Sequence, residues 1–215
     1  MLLGLEALRF LEGKGFEVLK TELAKGAEEA AQVARGMGFP VTLKVSSPDA
    51  IHKSDIGGVK VNLKSEEEVR RGFNEILEAF RTQNPGGRIE GALVQEQGDG
   101  VEVIIGAITD RQFGPVLMFG LGGIFAEVMR DVTFRIIPIG RGDAQEMIRE
   151  IRGYPILSGA RGTKVNLSAL EGLLLKVSRL IEDDPQIVEM DLNPVFLSEA
   201  PPRICDARIK LRGNA

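Results

Sequence analysis

The spacing of apolar residues changes period repeatedly along the chain, and each change marks an element. Leu5, Leu8 and Leu11 recur at helical spacing with Ala7, and Gly13 and Gly15 stop that helix. Residues 16–19 read as a short strand. Ala27, Ala30, Ala31, Ala34 and Met37 predict a second helix ending at Gly38. Residues 40–45 predict a strand. Val59, Val61 and Leu63 alternate with Lys60, Asn62 and Lys64, so the next strand has one wet face. Ser65 followed by Glu68 is a capping box. The helix it opens carries Val69, Phe73, Ile76, Leu77 and Phe80.

Asn84-Pro85-Gly86-Gly87 reads as a loop. Residues 92–95 and 101–109 predict strands, 110–114 a turn, and 115–119 an antiparallel return. Residues 133–139 predict another strand. Asp143 caps a helix holding Met147, Ile148 and Ile151, and Ser168 with Glu171 predicts a second capping box before Leu170, Leu173, Leu174, Val177 and Leu180. Strands at 187–191 and 203–211 follow, with a loop at 198–202 between them. Strands that are bunched and hairpin-linked, with helices at intervals, indicate an α+β fold (α/β in the broad sense) rather than a regular βαβ winding. The break at 84–87 divides the chain into a lobe of residues 21–93 and a lobe of residues 94–215, with the helix of residues 1–20 packed back on the second.

Composition narrows the function classes. The 215 residues are 43% hydrophobic and 27% charged, with a net charge of −4. A nucleic-acid footprint needs a basic excess, and with no Trp and one Tyr a base-stacking platform is not expected. Neither a nucleic-acid nor a membrane partner is expected. No apolar run approaches the roughly 20 residues that span a bilayer. Glu6, Arg9 and Glu12 interrupt the first helix, so no signal peptide is expected and the expected compartment is the cytoplasm. One cysteine excludes a disulfide framework and a multi-Cys zinc centre. The 26 glycines fall in short clusters between apolar segments, which points to tight turns and close backbone approach.

The chain has one histidine, His52, so a histidine triad or multi-His metal centre is excluded within it. Lys53, Ser54, Asp55, Gly57 and Gly58 follow it. A Gly-Gly pair lets backbone N–H groups approach an anion, and a neutral imidazole can act as a covalent nucleophile. The setting suggests a phosphorylatable arm; a solvated or core-satisfied histidine is the plainer alternative. Lys44 ends an apolar strand, facing either solvent or phosphate oxygens. No glycine-rich stretch fits the Walker phosphate loop. Gln95, Glu96 and Glu102 lie at a lobe junction, where polar groups can hold an adenine edge and a ribose diol or simply end a strand. Asn193 and Asp206, near Asp191, offer an amide oxygen and a carboxylate, a donor set suited to Mg²⁺. Asn-Pro also starts turns. Gly120-Leu-Gly-Gly123 predicts a strand-to-helix turn, Arg135 a partner for phosphate or carboxylate, Gly159-Ala-Arg161-Gly162 a turn carrying a cation, and Cys205 a small buried filler.

Six segments occur in one order: Phe39-Pro-Val-Thr-Leu-Lys44, His52-Lys-Ser-Asp-Ile-Gly-Gly58, Val94-Gln-Glu96, Glu102-Val-Ile-Ile-Gly106, Phe113-Gly-Pro-Val-Leu-Met-Phe-Gly-Leu-Gly-Gly123 and Asp191-Leu-Asn-Pro194. The set resembles the β subunit of ADP-forming acetate–CoA ligases, also called NDP-forming acyl-CoA synthetases. It is more distantly similar to the β subunit of succinyl–CoA ligases. The resemblance covers about residues 3 to 210 and implies a single ATP-grasp domain over residues 1–215, with two α+β lobes closing on a nucleotide.

The resemblance implies a reversible reaction converting acyl-CoA, ADP and phosphate to carboxylate, CoA and ATP. It implies a CoA-binding α subunit as a hetero-oligomeric partner, because these 215 residues leave no segment for a CoA-binding domain. A partner histidine would pass the phosphoryl group to His52, which would carry it to ADP and Mg²⁺. Lys44, Gly57 and Gly58 would contact phosphate, Gln95, Glu96 and Glu102 the nucleoside, and Asn193 and Asp206 the metal. The junction reads Gln95-Glu96-Gln97 where the family pattern ends in Met. A different ATP-grasp carboxylate ligase would need no histidine carrier. A non-catalytic nucleotide-binding regulatory subunit is the third reading, and the presence of His52, Lys44, Asn193 and Asp206 favours catalysis over it.

Overall fold

The structure, a computed structural model, describes residues 1–49, 57–123, 131–162 and 164–213. The first half of the chain forms β1 (Leu2–Leu3), α1 (Leu5–Gly13), β2 (Thr21–Ala24), α2 (Ala27–Met37), β3 (Val41–Ser46), β4 (Val59–Leu63), α3 (Glu66–Gln83) and β5 (Gly91–Glu96). A hairpin of β6 (Val101–Asp110) and β7 (Gly114–Leu121) precedes β8 (Val132–Ile136). Then come α4 (Arg141–Glu150), α5 (Tyr154–Leu157), α6 (Leu167–Asp183), β9 (Ile187–Leu197), β10 (Arg203–Ile204) and β11 (Ala207–Leu211). Two units result: Leu19–Gln97, and Met1–Val18 together with Gly98–Ala215.

The smaller unit is a four-stranded antiparallel sheet in the order β2-β5-β3-β4. Alternation sends Val41, Leu43, Val45, Ala92 and Val94 to one face. There α2 lays down Ala30, Ala31 and Ala34, and α3 lays down Val69, Phe73, Ile76, Leu77 and Phe80. The Ser65 hydroxyl accepts the Glu68 N–H at 3.2 Å, satisfying one of the unpaired donors of the first turn of α3. The reciprocal bond expected at Ser65 is made one residue earlier: Glu68 accepts the Lys64 N–H at 2.7 Å. Gly87 closes the loop after α3 because a Cβ there would lie 2.9 Å from the Phe80 ring.

Two expectations fail in this region. Residues 16–19 are not a strand; Val18 makes one isolated bridge to Ile204, and the strand is Thr21–Ala24, paired with β5. Phe16 and Leu19 are buried by packing, without a ladder. The wet and dry faces of β4 are also not regular. Asn62 has φ 58°, the β3–β4 register shifts between Val41 and Leu43, and Val61 is 61% exposed. A bulge turns side chains off the regular alternation.

The larger unit is a seven-stranded antiparallel sheet, ordered β1-β11-β9-β6-β7-β8 with β10 also on β9. Helices α1, α4 and α6 cover the face formed by Val103, Ile105, Ala107, Leu117, Phe119, Leu121, Met190, Leu192 and Ile209. The β6–β7 hairpin forms as expected, with Asp110 paired to Gly114. Asp110 accepts the N–H groups of Phe113 and Gln112, which holds its carboxyl below the usual aspartate value. Strand β8 stops at Ile136 rather than 139, ahead of Pro138, which has no N–H for a ladder.

Three boundaries differ from expectation. Asp143 is not a cap: α4 starts at Arg141, and Asp143 reaches back from the third helical position to the Gly140 N–H at 2.7 Å. Asn166, not Ser168, caps α6 by accepting the Ala169 N–H at 3.0 Å, and Glu171 instead takes Arg141 and Gln145. Strand β9 runs through Asn193-Pro194 to Leu197, and the strand expected at 203–211 is broken at Cys205 and Asp206. No helix among the described residues is long and apolar enough to cross a membrane.

Phe80 is fully buried between α3 and the small sheet. Phe80→Ala is expected to cost about 3–5 kcal/mol, and Ser65→Ala about 1 kcal/mol. Urea denaturation followed by circular dichroism checks both, with the larger midpoint shift for Phe80→Ala.

Candidate functional site

Because helices take one face of the small sheet, alternate residues go to the other. Thr21, Thr42, Lys44, Leu93 and Gln95 lie on that opposite face, with Thr42 and Thr21 flanking Gln95 across the strands. Gln95 is buried, and its amide donates to the Thr21 hydroxyl at 2.7 Å. The Thr21 hydroxyl in turn donates to the Leu19 carbonyl at 2.8 Å. Glu96 and Lys20 pair: the Glu96 carboxylate accepts the Lys20 N–H at 3.1 Å, and the Glu96 N–H donates to the Lys20 carbonyl at 3.0 Å. Lys44 is half-buried on β3. The Gly58 carbonyl accepts the Val45 N–H at 2.8 Å, and Gly57 turns the chain at φ 68°, a conformation that favours glycine. His52 lies outside the described residues.

Gln97, the departure from the family pattern, serves the small sheet itself. Its Oε1 accepts the Thr42 hydroxyl at 2.9 Å and the Asn62 N–H at 2.8 Å. One carbonyl oxygen thereby joins β3, the bulge of β4 and the end of β5. A thioether at this position offers no comparable acceptor.

In the larger unit, Glu102 of β6 lies against the turn after β7. Its backbone carbonyl accepts the Gly122 N–H at 2.8 Å. A Cβ on Gly122 would fall 3.0 Å from the Glu102 backbone, and one on Gly123 would fall 3.1 Å from Oε2 of Glu102. The Gly-Gly pair therefore makes room for this carboxylate. The helix expected after the turn falls on residues from Ile124 onward, which lie outside the described residues.

Strand β9 brings Asn193 to Asp206: the Asn193 N–H donates to the Asp206 carbonyl at 3.1 Å. Asn193 is exposed and Asp206 half-buried, with its Oδ1 accepting the Ala207 N–H at 2.9 Å. Asp191, two residues before Asn193, is half-buried and lies across from Arg208 on β11. Burial pushes the Asp191 carboxyl above its usual value; Arg208 pulls it down, while Asp206 and Glu189 push it up further. Among the described residues no group of three His, Cys, Asp or Glu side chains could hold a metal ion. Asn193 and Asp206 are hard-oxygen donors held side by side. Such a partial set fits Mg²⁺, which keeps waters and shares substrate phosphates, and does not fit a closed protein cage.

Arg135, left open between phosphate and carboxylate, pairs with carboxylates. It bonds Glu150 at 2.6 Å and Glu146 at 3.3 Å on α4, which raises its pKa and lowers that of Glu150. Gly159 and Gly162 have φ 108° and 77° and form the expected turn. Cys205 is buried beside β9, its N–H donating to the Pro194 carbonyl. Asp131 was not singled out from the sequence. It is buried, accepting the N–H groups of Arg152 at 2.8 Å and Gly153 at 2.7 Å. A lone Asp outside any periodic segment gives no signal of such a role.

Two units of antiparallel sheet with one-sided helix cover agree with the two α+β lobes of the ATP-grasp class, and a family model described as an ATP-grasp domain matches residues 1–211. The chain is 46% identical over 208 residues to the β subunit of an ADP-forming acetate–CoA ligase I from Pyrococcus furiosus, covering 96% of this chain and 90% of that one. It is 48% identical over 210 residues to the ADP-forming acetate–CoA ligase I of Archaeoglobus fulgidus, spanning 97% of this chain but 30% of that protein's length. Among solved structures, the acetyl-coenzyme A synthetase 1 of Ca. Korarchaeum cryptofilum, in complex with coenzyme A and Ca-AMPCP, has a TM-score of 0.93. Its identity is 48%, over 98% of this chain and 93% of that one. Another structure of that protein holds coenzyme A and Mg-AMPPCP, with its phosphohistidine segment pointing towards the nucleotide-binding site; it matches with a TM-score of 0.83 and 45% identity over 98% of this chain and 92% of that one. The chain thus belongs to the ATP-grasp family, within the group of β subunits of ADP-forming acetate–CoA ligases.

Gln97→Met removes the acceptor shared by Thr42 and Asn62 and is expected to cost about 1–3 kcal/mol. Gln97→Glu keeps an oxygen in place and is expected to lose less. Comparing the urea midpoints of the two variants with the parent tests the clamp.

Proposed function

We propose that this chain is the nucleotide-handling subunit of an ADP-forming acyl-CoA synthetase. The reaction is reversible conversion of acyl-CoA, ADP and phosphate to carboxylate, CoA and ATP, with a CoA-binding α subunit as partner in a cytoplasmic hetero-oligomer. One observation carries the choice of carrier. The relative in Ca. Korarchaeum cryptofilum has a phosphohistidine segment, and this chain has a single histidine. A phosphohistidine on this chain can therefore form only at His52.

Lys44 and the Gly57-Gly58 backbone contact phosphate oxygens, and Gln95, Glu96 and Glu102 position the nucleoside. Asn193 and Asp206 hold Mg²⁺, which when bound draws negative charge from the phosphate oxygens. In the ATP-forming direction the N–P bond of phosphorylated His52 breaks as an ADP oxygen bonds to phosphorus. The imidazole leaves neutral after taking up one proton. Phosphoryl transfer of this kind depends mainly on positioning and charge neutralisation, which suits a chain whose contribution is cations, backbone amides and oxygen donors. Half-burial of Lys44 strengthens its field towards phosphate relative to a fully solvated ammonium.

Incubation with γ-32P-labelled ATP and Mg²⁺, with and without the co-purified partner, is expected to give an acid-labile, alkali-stable label that His52→Ala abolishes. Lys44→Ala and Asp206→Ala are expected to slow labelling roughly 10- to 100-fold, the loss of one charge-assisted contact. For Asp206→Ala, higher Mg²⁺ should recover part of the rate. A label that persists in His52→Ala would overturn the carrier assignment. Unlabelled protein that still binds ATP would favour a ligase without a histidine carrier or a nucleotide-binding regulatory subunit.

A further inference from the structure

Glu102 stands at the start of β6, alternating away from the core residues Val103 and Ile105. It is half-buried and pairs with Phe196 of β9. On its other side the β6–β7 ladder closes at Val103 and Leu121, and Gly122 and Gly123 run on beside it. The two glycines meet different parts of Glu102. A Cβ on Gly122 would lie 3.0 Å from the Glu102 carbonyl carbon and 3.2 Å from the carbonyl oxygen, so Gly122 bears on the backbone. A Cβ on Gly123 would lie 3.1 Å from Oε2 and 3.9 Å from the carboxyl carbon, so Gly123 bears on the charged end alone. Gly123 has φ 60°, which favours glycine independently of that contact. Among the described residues the Glu102 carboxylate accepts no hydrogen bond and makes no ion pair. On this side its position is set by a van der Waals wall rather than by a bond.

We infer that Gly123 is a positioning residue for Glu102 and through it sets how strongly the protein prefers a nucleotide with a ribose diol. The claim rests on the reading of Glu102 as a contact to that diol. The reason lies in which group gives way. A Cβ at 3.1 Å is closer than ordinary contact, so the neighbour must move by a few tenths of an ångström. Here the neighbour is the end of a flexible side chain, which moves at little cost to the fold. The same movement is costly to recognition. A hydroxyl bonded to a carboxylate is a short, charge-assisted contact, and such bonds weaken steeply with distance and angle. The absence of a side chain at Gly123 therefore keeps the carboxylate close to the turn and free to aim at two hydroxyls. Gly123 touches no nucleotide in this account and acts only through Glu102. Gly122 has a different part: it holds the strand, its N–H donating to the Glu102 carbonyl at 2.8 Å.

The test uses the chain with its co-purified partner. It reads dissociation constants for ADP and for the dideoxy analogue of ADP, which lacks both ribose hydroxyls. Wild type is expected to prefer ADP by about tenfold or more, and Glu102→Ala to lose that preference. Gly123→Ala and Gly123→Asn both add the Cβ, and asparagine tolerates the left-handed backbone. Each is expected to reduce the preference about fivefold, weakening ADP and leaving the dideoxy analogue unchanged. Adding Gly123→Asn to Glu102→Ala is expected to change nothing further, because both act on one carboxylate. Gly114→Ala controls for backbone strain: Gly114 has φ 77° in the β6–β7 turn, and a Cβ there would meet nothing within 4 Å beyond its chain neighbours. It is expected to keep the wild-type preference. A wild-type preference in both Gly123 variants overturns the inference. So does equal weakening of the two nucleotides, which marks a general structural role. A preference lost in Gly114→Ala overturns it too, because strain rather than the contact would then be the cause. A Glu102→Ala variant that keeps the preference, or a wild type that has none, is a separate result: it removes the reading of Glu102 as a ribose contact and this inference with it.

Discussion

One-sided burial governs this molecule. Each sheet gives one face to helices; the other carries Thr21, Thr42, Lys44 and Gln95 on the small sheet, and Glu102 and Asp191 beside the exposed Ile108, Phe134 and Ile136 on the large one. In an antiparallel sheet residues alternate, so packing α2 and α3 on Val41, Leu43 and Val45 obliges Thr42 and Lys44 to face the opposite way. The same rule on β6 sends Val103, Ile105 and Ala107 under α1, α4 and α6 and frees Glu102 from that core. On β9 it buries Met190 and Leu192 while Asp191 and Asn193 alternate away from them. Strand β9 then changes parity. Val195 and Leu197 are the buried residues beyond Asn193-Pro194, where the β6–β9 register also shifts. The candidate metal donor Asn193 sits where the strand changes from one set of inward residues to the other. The packing rule and an interruption of it on β9 thus set where these candidate residues lie.

The sequence made the helices legible because their apolar stripes are long. All five residues expected to bury on α3 do so, and the capping serine is where the pattern puts it. Short elements were harder to read. Phe16 and Leu19 look like a strand because they are buried, yet burial without a pairing partner makes no strand. Thr21–Ala24 looks unremarkable because half its character comes from pairing with β5, about seventy positions later. Competition among neighbouring acceptors was equally hidden. Asn166 and Ser168 are both good caps, and the winner depends on where the helix axis begins. Asn193 and Asp206, which the sequence puts at two strand positions separated by a loop, are joined by the bond from the Asn193 N–H to the Asp206 carbonyl. Arg135 could not be read, since its carboxylate partners lie on a helix that the sequence does not place against β8.

The position at which the family pattern was broken has a local reason. Gln97 closes a small polar chain at the end of the sheet, in which Asn62 adopts a left-handed conformation and Thr42 is 5% exposed. The buried Thr42 hydroxyl needs an acceptor, because an unpaired buried polar group costs more than a made bond returns. Asn is among the residues that tolerate φ near +60°, so the bulge and the glutamine form one device. Gln95 belongs to a second such chain through Thr21 to the Leu19 carbonyl. Two amides two residues apart thus fix the same strand end from opposite neighbours, β2 on one side and β3 with β4 on the other. That makes the end of β5 a rigid platform at the point where Glu96 leaves the sheet.

A fixed platform and a travelling group make opposite demands on the backbone. A residue inside a ladder is held by bonds on both sides, which suits the phosphate contact proposed for Lys44 and the metal contact proposed for Asn193. It does not suit a carrier that must meet two reaction partners. The sequence separates the two roles accordingly. Every other proposed site residue falls on a strand or within two residues of one, whereas His52 falls in the sequence between β3 and β4. The relatives supply a second reason for the separation. The match covers 90% of a β subunit in Pyrococcus furiosus and 30% of a longer chain in Archaeoglobus fulgidus. A rigid site could not serve both arrangements unless the rest of the enzyme met it in one geometry. A carrier on a tether of defined length relaxes that demand to a distance, which either a covalent or a non-covalent junction can satisfy.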